Sequence, residues 1–224
     1  MCSSDLMGLG ASFWDDEKDT LDFLMKPAGL TFDEFRKVGI MPVTKQYHKY
    51  QTGGFNTPSG KVELYSEQLA KWGFDPMPIY REPPESPFSA PELMKEYPLV
   101  ITNWKVAPYL HVAGRQIPSL RNSHPEPLVV INSSTAKKLG VTEGEWVHIE
   151  TKRGRIKQKA TLSKNIDPRV VISEHGWWFP EKDATSIHDW AESNMNVLTD
   201  NVPPYGEIGS TTLKGYLCKV SKAV

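Results

Sequence analysis

The strongest indication of the fold comes from residues 127–160, PLVVINSSTAKKLGVTEGEWVHIETKRGRIKQKA. The first part of this segment, 127–132, is a short apolar run rich in β-branched residues, which predicts a buried strand. A helix is expected next, beginning at Ser133 or Ser134 and ending at Gly140, because serine favours a helix start and glycine a helix end. The segment therefore predicts a strand joined directly to a short helix.

The rest of the segment, EGEWVHIETKRGRIKQKATL, predicts a β-hairpin that turns about Arg153 and Gly154. The expected register pairs Thr151 with Ile156, Ile149 with Gln158 and Val147 with Ala160. One face is then largely apolar, and the other carries the basic residues Arg155, Lys157 and Lys159. We expect the apolar face in the core and the basic face outside.

Short strands are predicted on both sides of this segment. They are PLVITN (98–103), RVVIS (169–173) and YLCKV (216–220), with a short helix over 185–192. Short strands at this spacing, with helices between them, are typical of a closed barrel. The predicted fold class is mainly β with short helices.

The first 95 residues differ in character from the rest. Thr31 and Glu34 form the sequence pattern of a capping box, which predicts the start of a helix. The alternation of Val62 and Leu64 with polar residues predicts a short strand, and Ser66 favours the start of another short helix. Long apolar segments are scarce here, so this part is expected to be a partial α/β stub of something larger.

A proline-rich stretch, Asp75–Pro91, precedes the strand-rich part. Proline fixes φ and removes a backbone donor, so the stretch predicts an extended linker. We expect residues 1–95 to be stub plus linker and residues 96–224 to be the barrel. Residues 97–224 carry 16 basic and 12 acidic side chains, a mild positive charge that suits an anionic ligand.

Composition excludes several classes of protein. The 224 residues include 7 Trp, 8 Tyr and 8 Phe, which supply too much apolar surface for a mainly disordered chain. The apolar runs fall far short of the ~20 residues that a membrane helix needs, and the start, MCSSDLMGLG, lacks the pattern of a secretory signal. Cys2 and Cys218 are too few for a disulfide framework, and Cys218 is expected to pack within a strand.

Two glycine-containing segments resemble nucleotide-binding loops and fail the test. TPSGK, residues 57–61, resembles the end of a phosphate-binding loop, but Phe55 stands where that loop needs glycine and Val62 where it needs serine or threonine. GLGASF, residues 8–13, has no third glycine and no preceding strand. Both are interpreted as ordinary turns.

The histidines predict no metal site, because none of them has the close spacing of metal ligands. His175 is expected to pack beside Trp177 and Trp178, whereas His111, in the loop NWKVAPYLH, is the better ligand contact. A hydrolase built on a barrel stays open as an alternative, and it would need a nucleophile and a base near His111 or His175.

The basic hairpin, residues 152–159, offers a second alternative function. Its alternating Arg and Lys side chains could follow a nucleic-acid backbone or bind another protein. A solvated outer strand face explains the same residues more simply, and the sheet has no row of aromatic residues on which bases could stack. We therefore expect no nucleic-acid partner.

Several blocks in one order, over nearly the whole chain, resemble the C-terminal part of molybdopterin oxidoreductases of the dimethyl sulfoxide reductase family. They are FNTPSGKVELYSE (55–67), YPLVITNWKVAPYLHVAGRQIPSLR (97–121), the segment 127–160 and SNMNVLTD (193–200). The segments RQIPSLR and EHGWWFPE look most similar to the polysulfide or thiosulfate reductase and acetylene hydratase-like branches of this family. The resemblance implies a double-psi β-barrel that binds molybdopterin guanine dinucleotide.

This cofactor makes physical demands that polar loops can meet. Guanine and pterin edges need amide and hydroxyl partners, and the diphosphate needs N–H donors or a cation. By their positions in the matching blocks or near the end of the sequence, ten residues are candidates for contact with the cofactor. They are Thr102, Asn103, Lys105, Tyr109, Leu110, His111, Asn194, Asn196, and Lys214 or Tyr216 near the end.

The resemblance also implies partners. The ligand of the molybdenum or tungsten and any iron–sulfur cluster belong to earlier parts of the family's chains, so these residues alone are expected to show no turnover. The expected partners are the remainder of the molybdoenzyme catalytic subunit and an iron–sulfur electron-transfer subunit. The sequence identifies neither the substrate nor the compartment.

Overall fold

The computed structural model describes residues 6–10, 13–41, 45–201, 211–212 and 214–223. The chain forms two compact units, residues 1–64 and residues 65–224. Cys2 and part of the segment 8–13 lie outside the described residues.

The first unit is made of short helices. These are α1 (Glu17–Met25), a 3-10 turn (Lys26–Ala28), α2 (Phe32–Val38) and α3 (Tyr50–Gly53). The predicted capping box is confirmed, since the Thr31 side chain accepts from the Glu34 N–H and the Glu34 carboxylate accepts from the Thr31 N–H. The predicted short strand at Val62 and Leu64 is wrong: both side chains are exposed, and no strand pairs with this segment among the described residues.

The second unit is built around six strands. They are β1 (Leu99–Trp104), β2 (Leu128–Asn132), β3 (Trp146–Thr151), β4 (Gly154–Ser163), β5 (Val170–Glu174) and β6 (Tyr216–Lys222). Their order, β1-β5-β2-β4-β3-β6, closes into a barrel. The pairs β1/β5 and β2/β4 are parallel, and the other four are antiparallel. Closure leaves no open sheet edge.

Short helices precede the first strand or connect later strands. They are α4 (Glu67–Lys71), α5 (Pro91–Glu96), α6 (Pro118–Ser123), α7 (Ser133–Leu139) and two 3-10 segments, Ala184–Glu192 and Met195–Leu198. The helix predicted after β2 is confirmed as α7; its N-cap is Asn132, whose side chain accepts from the Ser134 N–H, and Gly140 ends it with a left-handed φ of 69°. The helix predicted over 185–192 is a 3-10 segment interrupted by positive φ values at Ile187, His188 and Asp189.

Alternate residues of the strands fill the barrel. The core includes Ile101 of β1, Ile131 of β2, Ile149 of β3 and Val171 of β5, each fully buried. Cys218 of β6 is buried among them, as predicted, and burial raises the pKa of its thiol. This tight apolar interior gives the loops at the barrel ends a rigid base.

The hairpin register differs from the predicted one by two residues. Thr151 pairs with Gly154, so Ile149 pairs with Ile156 and Val147 pairs with Gln158. The turn is therefore shorter than expected and contains only Lys152 and Arg153. Because side chains alternate with a period of two, this slip leaves the predicted inner and outer faces unchanged.

The predicted fold class is confirmed: a mainly β, closed six-stranded barrel with short helices. In the part of the chain that the structure describes, the helices are too short or too polar to cross a membrane.

Candidate functional site

A cavity of about 290 Å³ opens at one rim of the barrel. Asn103 and Lys105 come from the end of β1, and His175 follows the end of β5. These two strands are parallel, with Asn103 opposite Ser173, so their carboxyl ends open on the same rim. The other lining residues are His111, Met195, Asn196, Thr199 and Lys214.

Two imidazoles meet in this cavity. The Nδ1 of His111 lies 3.4 Å from the Nε2 of His175. The Nδ1 of His175 lies 3.0 Å from the main-chain oxygen of Trp104. A carbonyl only accepts, so the Nδ1 of His175 carries the hydrogen and its Nε2 faces His111. His111 itself has a φ of 52°, which is uncommon for a residue other than glycine.

Two lysines supply positive charge to the cavity. The side chains of Lys105 and Lys214 are exposed. Within the described ranges, neither ammonium group forms an ion pair. Both charges are therefore available to an anionic ligand.

The loop that carries Asn196 is held by hydrogen bonds on its buried side. The Asn194 side chain is buried; its Oδ1 accepts from the Asn196 N–H at 3.0 Å and its Nδ2 donates to the Trp177 carbonyl at 3.0 Å. Thr151 donates to the Leu198 carbonyl at 3.0 Å. These bonds leave the exposed Asn196 amide on the rim.

A second cavity, of about 530 Å³, adjoins the first at Asn196 and Thr199. It is also lined by Arg153, Asp200, Asn201 and Thr211. Volumes of this order suit small organic ligands. Because they share Asn196 and Thr199, the two cavities together form one groove along the rim.

Arg153 ties three segments together beside this groove. Its guanidinium donates to both carboxylate oxygens of Glu85, at 3.0 and 2.6 Å, and to Asp200 at 2.9 and 3.2 Å. It also lies 4.6 Å from the ring centre of Tyr216. The hydrogen bonds that Arg153 donates to Glu85 and Asp200 raise its pKa further above its usual value.

The structure brings half of the sequence-predicted site residues into the first cavity. They are Asn103, Lys105, His111, Asn196 and Lys214. The other half lie elsewhere or serve the framework. Tyr109 is buried and donates to the His124 carbonyl at 2.6 Å, and Tyr216 is buried and donates to the Thr212 carbonyl at 2.5 Å. Leu110 is 74% exposed.

The remaining two predicted residues also lie outside the cavity lining. Thr102 is partly buried within β1, opposite Ile172 of β5. Asn194 is the buried cap described above. Its position in a polar loop matched the pattern of a ligand contact, yet its hydrogen bonds are made within the protein.

Sequence reasoning missed His175, Met195 and Thr199. The expected packing of His175 against Trp177 and Trp178 is wrong: its ring partner is His111, and the imidazole beside Trp177 belongs to His124, with ring centres 6.0 Å apart. The position of His175 just after a buried strand could have indicated a site residue. It identifies this site only once β5 is known to pair with β1.

The outer face of the hairpin is largely engaged within the protein. Lys157 pairs with Glu192 at 3.5 Å and Lys159 with Glu126 at 3.2 Å, and both ammonium groups lie over the Trp146 ring. Nothing in this arrangement or in the comparisons below supports the nucleic-acid alternative.

The donor set of the groove fits a nucleotide-like cofactor. Two amides can bond ring edges, two lysines can neutralise a diphosphate, and the imidazoles and Thr199 add further donors and acceptors. Across the described ranges, no cluster of three His, Cys, Asp or Glu residues is arranged to hold a metal ion directly. The groove therefore offers recognition of an organic ligand.

Comparisons with known proteins agree with this chemistry. The family model described as "Molydopterin dinucleotide binding domain" matches residues 99–212. The chain is 34% identical to acetylene hydratase of Syntrophotalea acetylenica over 180 residues, 79% of this chain and 25% of the relative. It is 32% identical to dimethyl sulfoxide reductase DmsA of Escherichia coli over 193 residues, 77% of this chain and 23% of the relative.

A solved structure is similar over almost the whole chain. Acetylene hydratase from Pelobacter acetylenicus matches with a TM-score of 0.78 and 31% identity, covering 98% of this chain and 32% of that one. The chain thus spans about a quarter of the length of the two curated relatives above.

Proposed function

The chain belongs to the molybdopterin dinucleotide binding domain family, and from this we propose that its barrel rim holds molybdopterin guanine dinucleotide within a larger molybdenum or tungsten oxidoreductase. The single observation that carries the proposal is the groove that joins Asn103, Lys105 and His111 to Asn196 and Lys214. These residues come from three separate segments of the sequence and converge on one rim.

Each group in the groove has a chemical role in this proposal. Lys105 and Lys214 bind the diphosphate as cations, because their charges are otherwise unpaired in the described part of the chain. Asn103 and Asn196 form hydrogen bonds with the guanine or pterin edges, since an amide offers both donors and an acceptor. Thr199 lines both adjoining cavities and offers its hydroxyl to the ligand.

The metal that such a cofactor carries supplies the redox chemistry, and the protein supplies binding and orientation. The described residues of this chain bind, orient and partly enclose the ligand. We propose that residues 96–224 are the cofactor-binding barrel and that residues 1–95 are the end of the preceding domains plus a linker; the start of the family match at residue 99 supports this division.

The greater length of the relatives supports a larger catalytic subunit as the proper context of this chain. We propose that the rest of that subunit supplies the metal ligand and the substrate funnel, and that an iron–sulfur subunit exchanges electrons with it. Turnover is expected only in that assembly.

Guanosine diphosphate is a soluble probe for the proposed site, because it contains the guanine and the diphosphate of the cofactor. We expect saturable binding by calorimetry, with Lys105→Ala and Lys214→Ala each weakening it about five- to thirtyfold, equivalent to ~1–2 kcal/mol for a charge-assisted bond. Lys138→Ala is the matched control, since Lys138 is exposed on α7 outside the groove lining.

Adenosine diphosphate separates base recognition from charge alone. It is expected to bind more weakly, because its ring edge presents a different pattern of donors and acceptors. No saturable binding of guanosine diphosphate at millimolar concentration, or equal binding by all three lysine variants, would contradict the assignment of the nucleotide half to this groove.

A further inference from the structure

A buried ion pair lies directly behind the two histidines of the groove. The side chains of Arg115 and Glu174 are each 1% exposed, and an Arg115 Nη2 nitrogen lies 3.2 Å from a Glu174 carboxylate oxygen. The Arg115 guanidinium lies over two aromatic rings, 4.5 Å from the centre of Tyr109 and 5.0 Å from that of Trp177. The cation is thus fixed in both position and plane.

The remaining bonds of Arg115 go to the backbone of the imidazole pair. Its Nη1 donates to the His111 carbonyl at 2.6 Å, and its Nη2 donates to the His175 carbonyl at 3.2 Å. One guanidinium therefore holds the main chain of both histidines, which are 64 residues apart in the sequence. No other described side chain donates to both carbonyls.

The backbone at this point has little freedom of its own. His111 has a left-handed φ of 52°. A Cβ on Gly176 would lie 3.0 Å from the His111 carbonyl oxygen, so only glycine allows the two loops to approach this closely. This close approach brings the His111 and His175 rings together. Arg115 then holds the main chain of both residues through their carbonyl oxygens.

Glu174 holds the other end of the arrangement. Its second oxygen accepts from the Leu128 N–H at 3.2 Å and lies 2.7 Å from the Nε2 of His124. Leu128 begins β2, so the carboxylate connects the loop behind the groove to the barrel wall. The Arg115 Nε, by contrast, is buried without an acceptor among the described residues.

Stability alone is a poor explanation for this pair. Removing two charges from water is costly, and buried ion pairs are often no more stabilising than apolar residues of the same size. Burial lowers the pKa of Arg115, yet arginine remains charged at neutral pH. What an apolar pair could not supply is a fork of donors to two carbonyls in fixed directions.

We propose that Arg115, held by Glu174, is the positioning residue for the His111–His175 pair and sets the hydrogen-bonded state of the imidazoles that line the groove. The proposal rests on the proposed function only in taking this groove as the cofactor site. Arg115 acts through the two histidines and does not itself line either cavity.

The test is nitrogen-15 NMR of the histidine rings in the full chain, without nucleotide. At a pH where the rings are neutral, His175 is expected to show a protonated Nδ1, bonded to the Trp104 carbonyl, and an unprotonated Nε2. In Arg115→Gln and Arg115→Lys this single state should be lost, because neither side chain can donate to both carbonyls from fixed directions. Failure of the lysine variant to restore the signal is part of the prediction.

Arg121→Gln is the matched control. Arg121 lies 4.6 Å from the centre of the same Trp177 ring but donates to the exposed Glu181, not to the histidines. Its histidine spectrum is expected to match that of the unmodified chain. Equal changes in the Arg115 and Arg121 variants, or no change in either, would overturn the proposal.

A measurement on the unmodified chain covers the case in which the Arg115 variants do not fold. The Arg115 Nη hydrogens are expected to give separate, exchange-protected signals with contacts to the α-hydrogens of both His111 and His175. A single averaged signal would overturn the proposal. Because these spectra need no ligand, they succeed or fail independently of guanosine diphosphate binding.

Discussion

The side-chain amide of Gln158 donates to the carbonyl oxygen of Ser193 at 3.0 Å. The same amide nitrogen donates to the Glu174 carbonyl at 2.9 Å, and the side-chain oxygen of Gln158 accepts from the Ser173 hydroxyl at 3.0 Å. Gln158 is fully buried in β4. One core side chain thus anchors both loops of the groove, the one that carries His175 and the one that carries Asn196.

Gln158→Met should destabilise the barrel although it keeps most of the volume. Methionine cannot replace the three hydrogen bonds, so buried carbonyls lose their donors, at ~1–3 kcal/mol. Urea unfolding measures the loss, and Lys164→Ala, at an exposed position, provides the control. A loss below ~0.5 kcal/mol would show that the amide network is dispensable.

Gly154→Ala should disturb the Asn196 loop by steric contact alone. A Cβ at this position would lie 2.8 Å from the Val197 Cγ1 and 3.0 Å from the Val197 carbonyl oxygen. We expect a loss of ~1–3 kcal/mol in the free energy of unfolding, together with weaker guanosine diphosphate binding.

The double variant Gly154→Ala, Val197→Ala tests the cause of that loss. Relief of the contact with the Val197 side chain should make the two substitutions less damaging together than the sum of the single losses. Gly53→Ala is the control, since its φ is not left-handed and nothing lies within 4 Å of its Cβ position. Strict additivity would exclude the contact with the Val197 side chain as the cause and leave the contact with the Val197 carbonyl oxygen.

Stability should fall in acid through Glu85. Burial by itself would raise the pKa of Glu85, but hydrogen bonds from Arg153 and Lys152 outweigh burial and hold the pKa below its usual value. The unfolded chain then binds more protons than the folded one near pH 4. The stabilisation is therefore present above the unfolded pKa, about 4.3, and is lost as the pH falls through the folded pKa.

Urea unfolding of the unmodified chain and of Glu85→Gln from pH 7 to pH 3 measures this contribution. The advantage of the unmodified chain should shrink as the pH falls below about 4.3. Asp167→Asn is a control at an exposed pair, in which hydrogen bonds from Arg169 lower the pKa of Asp167 but solvent screens the interaction. Exposed pairs contribute little, so its effect should be small. A pH-independent difference for Glu85→Gln would contradict the assignment.

Nucleotide binding should weaken as salt increases. The ammonium groups of Lys105 and Lys214 are exposed, so their attraction for a diphosphate is screened by added ions. Titrations from low to physiological ionic strength should give a shallower salt dependence for Lys105→Ala and Lys214→Ala than for the unmodified chain. Identical slopes would place the diphosphate away from these lysines.

Local sequence patterns predicted much of the framework. Helix α7 was predicted because serine and glycine mark its ends, and the inner face of the hairpin because its apolar residues alternate. The register was missed by two residues, since alternation looks the same after a shift of two. The strand at Val62 and Leu64 was predicted from alternation alone, which cannot supply a partner strand.

The site was only partly predictable, because polar loop residues look alike in sequence. Asn194 and Asn196 stand two positions apart in one loop, yet one is a buried cap and the other is exposed on the rim. Tyr109 and His111 divide in the same way between core and groove. Burial decides between these roles, and burial depends on packing that no short window of sequence contains.

Local sequence patterns predicted the six strands of the barrel and the faces of the hairpin that turn inward, because side chains of a strand alternate with a period of two. Through the order of its blocks the sequence also indicated a molybdopterin-binding family. The pairing of β1 with β5, which brings His111 to His175 and places Arg115 behind both, is visible only in the folded barrel. Such pairing joins residues about 60 to 70 positions apart, and it is chosen by closure of the whole barrel and not by any local preference.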